Sequence, residues 1–481
     1  MLPFSAISLA HVAQKNLPCE SVETRLEGWL EHAFAAGFLS DGGPLGRYSY
    51  LVAQPVAKSH LAYDNPRETT DFLREMTTAI TADHYKSELP PFTGGLVGMA
   101  SFELGLRLEA MKRRPFRIEG REPWPELVML CYPAVLAFDH HEKTLTAIGR
   151  GATPAEAETI RDALIALYDQ TPVAKPVTGA FTERPLDLET PDEVHEDKVA
   201  ALVRQIHAGD LFQANLARGW SGILREGATP GAVMTALHGR GPAPFGGFLT
   251  LGDRAILSNS PERFISLAAN GRMETRPIKG TRPRGKTPVE DADLAAELSA
   301  SEKDRAENLM IVDLMRHDLS KIAEVGSVRV TALNALESYA NVHHLVSTVT
   351  AQLSAGKTAA DVLAATFPPG SISGAPKVQA MKVIYEMEAA RGPYCGSLFF
   401  IDAGGAMDSN VLIRTLALEK DDNKRWHVRA CAGGGIVADS EPVAERIETE
   451  TKLSLIKSVL EGQDAGTGHN VHVTASPLRG W

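Results

Sequence analysis

EDKVAALVRQIHAGDLFQANLA, residues 196–217, is the stretch whose reading decides the fold class. Val199, Leu202, Val203 and Ile206 recur at helical spacing and form one apolar stripe, which Gly209 stops. A strand is predicted next over 212–217, where Phe212, Ala214 and Leu216 alternate with Gln213 and Asn215. The same alternation of helix and strand continues outward. Further strands are predicted at 255–258, 264–268, 273–278, 398–401, 411–418 and 427–432, and helices at about 291–299, 301–316, 358–365, 375–390 and 441–460. Towards the N-terminus, 48–53 and 128–138 read as β runs among helical stretches, and Gly94-Gly95 makes a turn before LVGMASFELG. The class is α/β (α+β), without internal repeat.

Three regions separate along the chain. Residues 1–172 form the first. Residues 173–192, with Pro176, Pro185 and Pro191 and little apolar periodicity, read as a linker. Residues 193–461 carry the denser pattern, and 462–481 read as a flexible tail. The formal charge, 49 − 60 = −11, excludes DNA and an acidic membrane as electrostatic partners, although 279–286 is locally basic. Cys19, Cys131, Cys395 and Cys431 make no ligand or disulfide spacing. The start MLPFSAISLAHVAQK lacks signal-peptide features, and no apolar run reaches the roughly 18 residues of a membrane span. A cytoplasmic protein is expected.

Four constellations carry chemistry. After the cap-like Ser301, Glu307 shares a helix face with Met310, Ile311 and Leu314, so it must be desolvated and compensated, or reach solvent at the stripe's margin. On the last helix, which Ser440 can cap and Pro442 can enter, Glu445, Glu448, Lys452, Leu455 and Val459 continue at spacings of three and four. Those carboxylates, with Glu307, suit a hard divalent cation; the alternative is a solvated face with a Glu448–Lys452 pair. CAGGGIVADS and PPGSISGAPK lack the spacing of nucleotide-binding loops, and their glycines can instead offer backbone N–H groups to a carboxylate. In RPIKGTRPRG (276–285), Lys279 is flanked by Arg276 and Arg282. Cationic neighbours and burial would favour its neutral, nucleophilic form; a basic surface turn is the other reading.

SPERF (260–264), RPIKGT (276–281), SEKDRAENLMIVDL (301–314), NVHHLVSTV (341–349), FPPGSISGAPK (367–377) and GGGIVADSEP (433–442) occur in this order. Together they closely resemble the chorismate-utilising enzymes: component I of anthranilate synthase and of aminodeoxychorismate synthase, and the isochorismate and salicylate synthases. The resemblance covers 193–461, and GRYSYLVAQP and PFTGGLVG extend it more loosely into 1–172. It implies two sheets packed against each other, sandwich-like, with helices outside.

Within that family Pro-Ile-Ala-Gly-Thr is usual for anthranilate synthases, whereas the Pro-Ile-Lys-Gly-Thr found here is typical of the para-aminating, aminodeoxychorismate-forming branch. The resemblance therefore implies that Lys279 attacks C2 of chorismate, displacing the C4 hydroxyl, and that ammonia at C4 then expels the lysine. Glu262 matches the general acid. Glu307 and Glu448, with Glu445 beside them, match ligands of Mg2+. Tyr394, Arg414, Gly433, Gly435 and Lys452 match groups that bind substrate, and Thr281, His344 and Ser371 match pocket-lining positions. Gln213 stands where isochorismate-forming relatives place a lysine that activates water. A glutamine amidotransferase subunit is the implied ammonia source and 4-aminobenzoate and folate the implied destination; no glutaminase segment and no fused lyase are visible in the chain. After Asp313 the family usually reads Arg-Asn-Asp-Leu-Gly-Arg, and this chain has Arg316-His317-Asp318-Leu319-Ser320-Lys321.

Overall fold

Pro133 shows how the fold is built. The apolar run 128–138 is two strands, Leu127–Tyr132 and Ala134–Asp139, which belong to different sheets. A proline offers no N–H to a ladder, so pairing stops there, while its carbonyl accepts the Arg150 amide at 2.7 Å. The structure, a computed structural model, describes residues 7–18, 20–81, 89–174, 179–338 and 342–462.

One sheet has twelve strands. Its order is Asp187–Leu188, Gln213–Ile223, Trp426–Ile436, Thr415–Lys420, Arg254–Ser258, Gly246–Thr250, Ala36–Leu39, Tyr48–Val52, Ala134–Asp139, Thr144–Gly151 and His11–Leu17, with Gly374–Ala375 beside Gln213–Ala214. The other has ten. It runs Ile278–Pro283, Val342–Gln352, Arg272–Thr275, Arg263–Leu267, Met407–Asn410, Ser397–Asp402, Gly95–Ala100, Leu127–Tyr132 and Ala57–Leu61, with Arg329–Ser338 also paired to Val342–Gln352. Strands from before 172 and after 193 lie side by side in both: Phe248 faces Gly37, and Phe399 faces Gly98. The division at 173–192 is thus one of sequence, not of sheets. Asp187–Leu188, within that stretch, itself pairs with Trp220 and Ser221.

The sheets pack face to face. Tyr50, Val52, Val97, Met99, Val128, Leu130, Val135, Leu398 and Phe400 meet between them. The intervening residues point the other way: Leu51, Leu136 and Phe138 pack on helices beyond the twelve-stranded sheet, and Leu127 and Met129 on helices beyond the ten-stranded one. Period-two alternation with both faces apolar is what a strand covered on both sides requires. The expected sandwich-like arrangement with outer helices is therefore observed.

The helix Asp192–His207 and the strand Gln213–Ile223 occupy the predicted places. Phe212, expected inside, is 68% exposed, while Gln213 is fully buried. Ala214 and Leu216 pack with Ala380 and Val383 of the helix Lys377–Met387, and on the opposite face Arg391 Nη2 donates to Asn215 Oδ1 at 3.3 Å, so the polar face is covered as well. The run 411–418 is not continuous: Met407–Asn410 and Thr415–Lys420 belong to different sheets, joined by a link in which Arg414 has φ +50°. Likewise 273–278 divides into Arg272–Thr275 and Ile278–Pro283 at Arg276-Pro277. Cys131, Cys395 and Cys431 are buried free thiols; Cys19 lies outside the described residues. No helix among the described residues is long and apolar enough to cross a membrane.

Candidate active site

Lys279 lies inside a strand rather than in a surface turn. Opposite it in Val342–Gln352 is Leu345, and opposite Thr281 is His344, so Gly280 is an extra residue, a bulge. Gly280 has φ +77°, and a Cβ there would stand 2.9 Å from Leu298 Cδ1 and 3.0 Å from Asp304 Cβ. Only glycine suits both demands. The bulge turns Lys279 towards the end of the neighbouring sheet, where a Cβ on Gly435 would meet Lys279 Nζ at 3.1 Å and Gln213 Nε2 at 2.0 Å. Glycine at 435 therefore lets the amine approach bare backbone.

The cations expected to depress Lys279 are engaged elsewhere. Arg276 pairs with Glu337 and donates to Thr348, and Arg282 pairs with Glu297 and Asp304. Burial is the largest influence lowering the Lys279 amine below its ordinary range, helped by Lys452 and opposed by Glu307, Glu262 and Glu448. These five side chains form one electrostatic group.

Glu262 follows Ser260, whose hydroxyl accepts the Glu262 amide at 3.2 Å and donates to the Val411 carbonyl at 2.6 Å. The carboxyl is 6% exposed, and burial pushes it up to about 7, against the lowering effects of a Ser371 hydrogen bond and the charges of Lys279 and Lys452. Such a carboxyl holds a proton near neutrality.

On the Glu302–Ser320 helix the buried line is Asn308, Ile311, Val312, Met315, Asp318 and Leu319, so the stripe is rotated from the one expected and Glu307 stands at its margin. Burial raises Glu307, and Lys279 draws it back. The Ser301 hydroxyl does cap this helix, accepting the Asp304 amide at 3.2 Å. On Pro442–Leu460 the buried line is Glu445, Thr449, Leu453 and Ile456. Ser440 does not cap that helix; its hydroxyl donates to Glu445 Oε1 at 2.6 Å. Glu448 and Lys452 form the i, i+4 pair at 2.6 Å, with side chains 48% and 42% exposed. Burial pulls the Glu448 carboxyl upward, but Lys452, together with Lys279 and Lys303, outweighs it and the net shift is down. Lys452 also donates to the Gly433 carbonyl at 2.9 Å.

A Cβ on Gly434 would lie 2.7 Å from Glu445 Oε2 and 3.7 Å from Glu448 Oε1, so both carboxylates face the glycine strand. All-oxygen anionic donors of this kind match a hard divalent cation. Among the described residues no group of three such side chains forms a ready metal site, and Ser440 and Lys452 each hold one oxygen, of Glu445 and of Glu448.

Thr281 Oγ1 and His344 Nδ1 are 2.9 Å apart, and burial lowers His344 to about 4, so its ring is neutral. Arg414 adds positive charge near His344; burial alone lowers its guanidinium, and no described carboxylate pairs with it. Both amide atoms of Gln213 are buried without a hydrogen-bond partner. Tyr394 is buried against Arg391, 5.9 Å from its ring centroid, and no described contact draws it into the Lys279 group. Sequence reading missed Ser260, Asn308, which donates to the Leu345 carbonyl at 3.2 Å, and Lys377, which joins Asp318. Ser260 had a signal, a hydroxyl two residues before the acid. The other two depend on contacts distant in sequence.

The sequence pattern of the chorismate binding enzymes matches residues 37–458, and the chain belongs to that family. It is 41% identical over 373 residues to aminodeoxychorismate synthase component 1 of Klebsiella aerogenes, covering 77% of this chain and 78% of that one. It is 37% identical over 407 residues to anthranilate synthase component 1 of Thermus thermophilus, covering 83% and 84%. Anthranilate synthase component I from Streptococcus pneumoniae superposes with TM-score 0.72 at 31% identity, covering 85% of this chain and 92% of that structure.

Proposed function

We propose that this protein aminates chorismate at C4, giving 4-amino-4-deoxychorismate for 4-aminobenzoate and folate synthesis in the cytoplasm. Ammonia comes from a separate glutamine amidotransferase subunit. The observation that carries the reading is the Lys279 amine, desolvated against Gly435 and ringed by Glu262, Glu307, Glu448 and Lys452. A neutral amine there is a nucleophile. It attacks C2; the diene shifts, and the C4–O bond breaks as the proton of Glu262 passes to the oxygen, so water departs. Ammonia then bonds to C4, the double bonds shift back and the C2–Nζ bond breaks, returning the amine. Lys452, Arg414 and the Gly433–Gly435 backbone bind the substrate carboxylates. Mg2+, when bound by Glu307 and Glu448 with Glu445 beside them, supplies positive charge for the C1 carboxylate.

Product analysis with chorismate, ammonium and magnesium tests the reading. Aminodeoxychorismate is the expected product. Anthranilate would overturn it and favour the ortho-aminating alternative, which the Thermus thermophilus relative keeps in view.

A further inference from the structure

The segment that carries Lys279 is fastened to Val342–Gln352 at two nearby residues. Leu345 stands opposite Lys279 in the ladder, and the Ser347 amide donates to the Pro277 carbonyl at 3.1 Å. Both residues are also held from the face of the sheet by one side chain, Asn308 of the Glu302–Ser320 helix. Its amide nitrogen donates to the Leu345 carbonyl at 3.2 Å, and its amide oxygen accepts a short hydrogen bond from Ser347 Oγ. Asn308 and Ser347 are both fully buried.

The orientation of this amide is set at both ends. The Asn334 amide donates to Ser347 Oγ at 2.9 Å, so the Ser347 proton is left to point at Asn308, which must present its oxygen there. The Leu345 carbonyl can only accept, so it selects the NH2 end. Asn334 supplies its amide because pairing of Arg329–Ser338 is irregular there: its φ is +50°, and the register shifts between Ala332 and Ala335. Burying an amide costs free energy unless hydrogen bonds replace those to water. A position that merely filled space would not carry one.

Leu345 and Ser347 are two apart and share the face that the helix covers. Partners across an antiparallel ladder share a face, so Lys279 belongs to it too. One turn earlier on the helix, Asp304 pairs with Arg282 at 3.4 Å, beyond the bulge. The helix thus grips the sheet on both sides of Gly280, the extra residue where regular pairing is interrupted. We propose that Asn308 is a positioning residue: by holding Leu345 and Ser347 it fixes the register and height from which Lys279 reaches Gly435. This rests on the reading of Lys279 as the nucleophile, but the grip on the strand is measurable without turnover.

The test is Asn308→Leu, which nearly keeps the volume and removes both hydrogen bonds. The rate of adduct formation at Lys279, with chorismate and magnesium but no ammonia, is followed by intact-protein mass spectrometry. Chorismate affinity is measured separately in the Lys279→Ala background, where no adduct forms. The adduct rate is expected to fall by about 10²-fold, as for a reacting group displaced by about 1 Å, with affinity nearly kept. Amide hydrogen exchange is expected to quicken at 277–281 and 345–347 while the Pro442–Leu460 helix keeps its wild-type exchange. Should Asn308→Leu fail to fold, Ser347→Ala, which removes one of the two anchors, is measured in its place with the same direction of change. A folded variant with the wild-type adduct rate overturns the proposal. So does a rate that falls in step with affinity while exchange quickens throughout the fold, because that is loss of stability alone. If wild type forms no adduct, the covalent reading under the proposed function is retired instead. Exchange at 277–281 then decides by itself: local quickening upholds the grip of Asn308 on the strand, and unchanged exchange overturns it.

Discussion

Glu262 and Glu448 are the same residue type facing the same group of charges, yet they hold protons differently. Glu262 sits in the link between Arg254–Ser258 and Arg263–Leu267, strands of different sheets, with its residue 6% exposed, and burial takes it to about 7. Glu448 sits on an outer helix with half its side chain in solvent, and an ammonium one turn away holds it below its usual value. Burial without an ammonium in contact favours the protonated form, whereas an ammonium in contact contributes a full charge and survives partial exposure. One carboxyl is thereby suited to give a proton, the other to remain an anion for a cation. Lys279 feels both, which is why the amine is the sharpest probe of the contrast.

The largest expected effect is at that amine. Lys279→Ala should reduce para-amination to background and abolish the chorismate adduct that intact-protein mass spectrometry detects in wild type without ammonia. Lys279→Arg should not restore it, since guanidinium stays protonated. Glu262→Gln should slow turnover by about 10²–10⁴-fold with chorismate binding nearly kept, measured by single-turnover kinetics and equilibrium binding. In wild type, kcat/KM should rise with pH as Lys279 loses its proton and gain a descending limb as Glu262 loses its own. The descending limb should vanish in Glu262→Gln. Glu448→Gln should leave that limb in place and raise the half-saturating magnesium concentration by roughly tenfold or more. Equal pH limbs and unchanged magnesium titrations in the two variants would erase the contrast. The smallest effect is structural: Gly280→Ala forces a side chain into φ +77°, which should cost about 1 kcal/mol or more in denaturant unfolding and lower the adduct yield.

Periodicity reached the elements and missed the corners. Strands such as Arg254–Ser258 and the helix Ala359–Thr366 were legible because their alternation is local. The breaks at Pro133 and at Arg414 were not, because an apolar run reads the same whether one sheet or two receives it. In the site, motif order singled out Lys279, Glu262, Glu307 and Glu448, which the fold brings into one electrostatic group. Burial, the larger cause of the depressed Lys279 amine, was anticipated, but the cation was misread: Arg276 and Arg282 are near in sequence but paired outward, while Lys452, far along the chain, is the cation that acts. The Glu302–Ser320 stripe was rotated for a similar reason. Asn308 is buried because it hydrogen-bonds the Leu345 carbonyl, so a polar residue belongs to the inner face.

The side-by-side placing of early and late strands bears on how the chain is made. Gly98 waits for Phe399, and at about 5–20 residues per second the ribosome needs roughly 15–60 s to supply it. Throughout that interval Gly95–Ala100, a strand buried on both faces when folded, has its edge towards Ser397–Asp402 unpaired. Neither sheet can close before synthesis is nearly finished, since one needs Ser397–Asp402 and Met407–Asn410 and the other Thr415–Lys420 and Trp426–Ile436, so truncation before Ser397 strands both sheets at once rather than one.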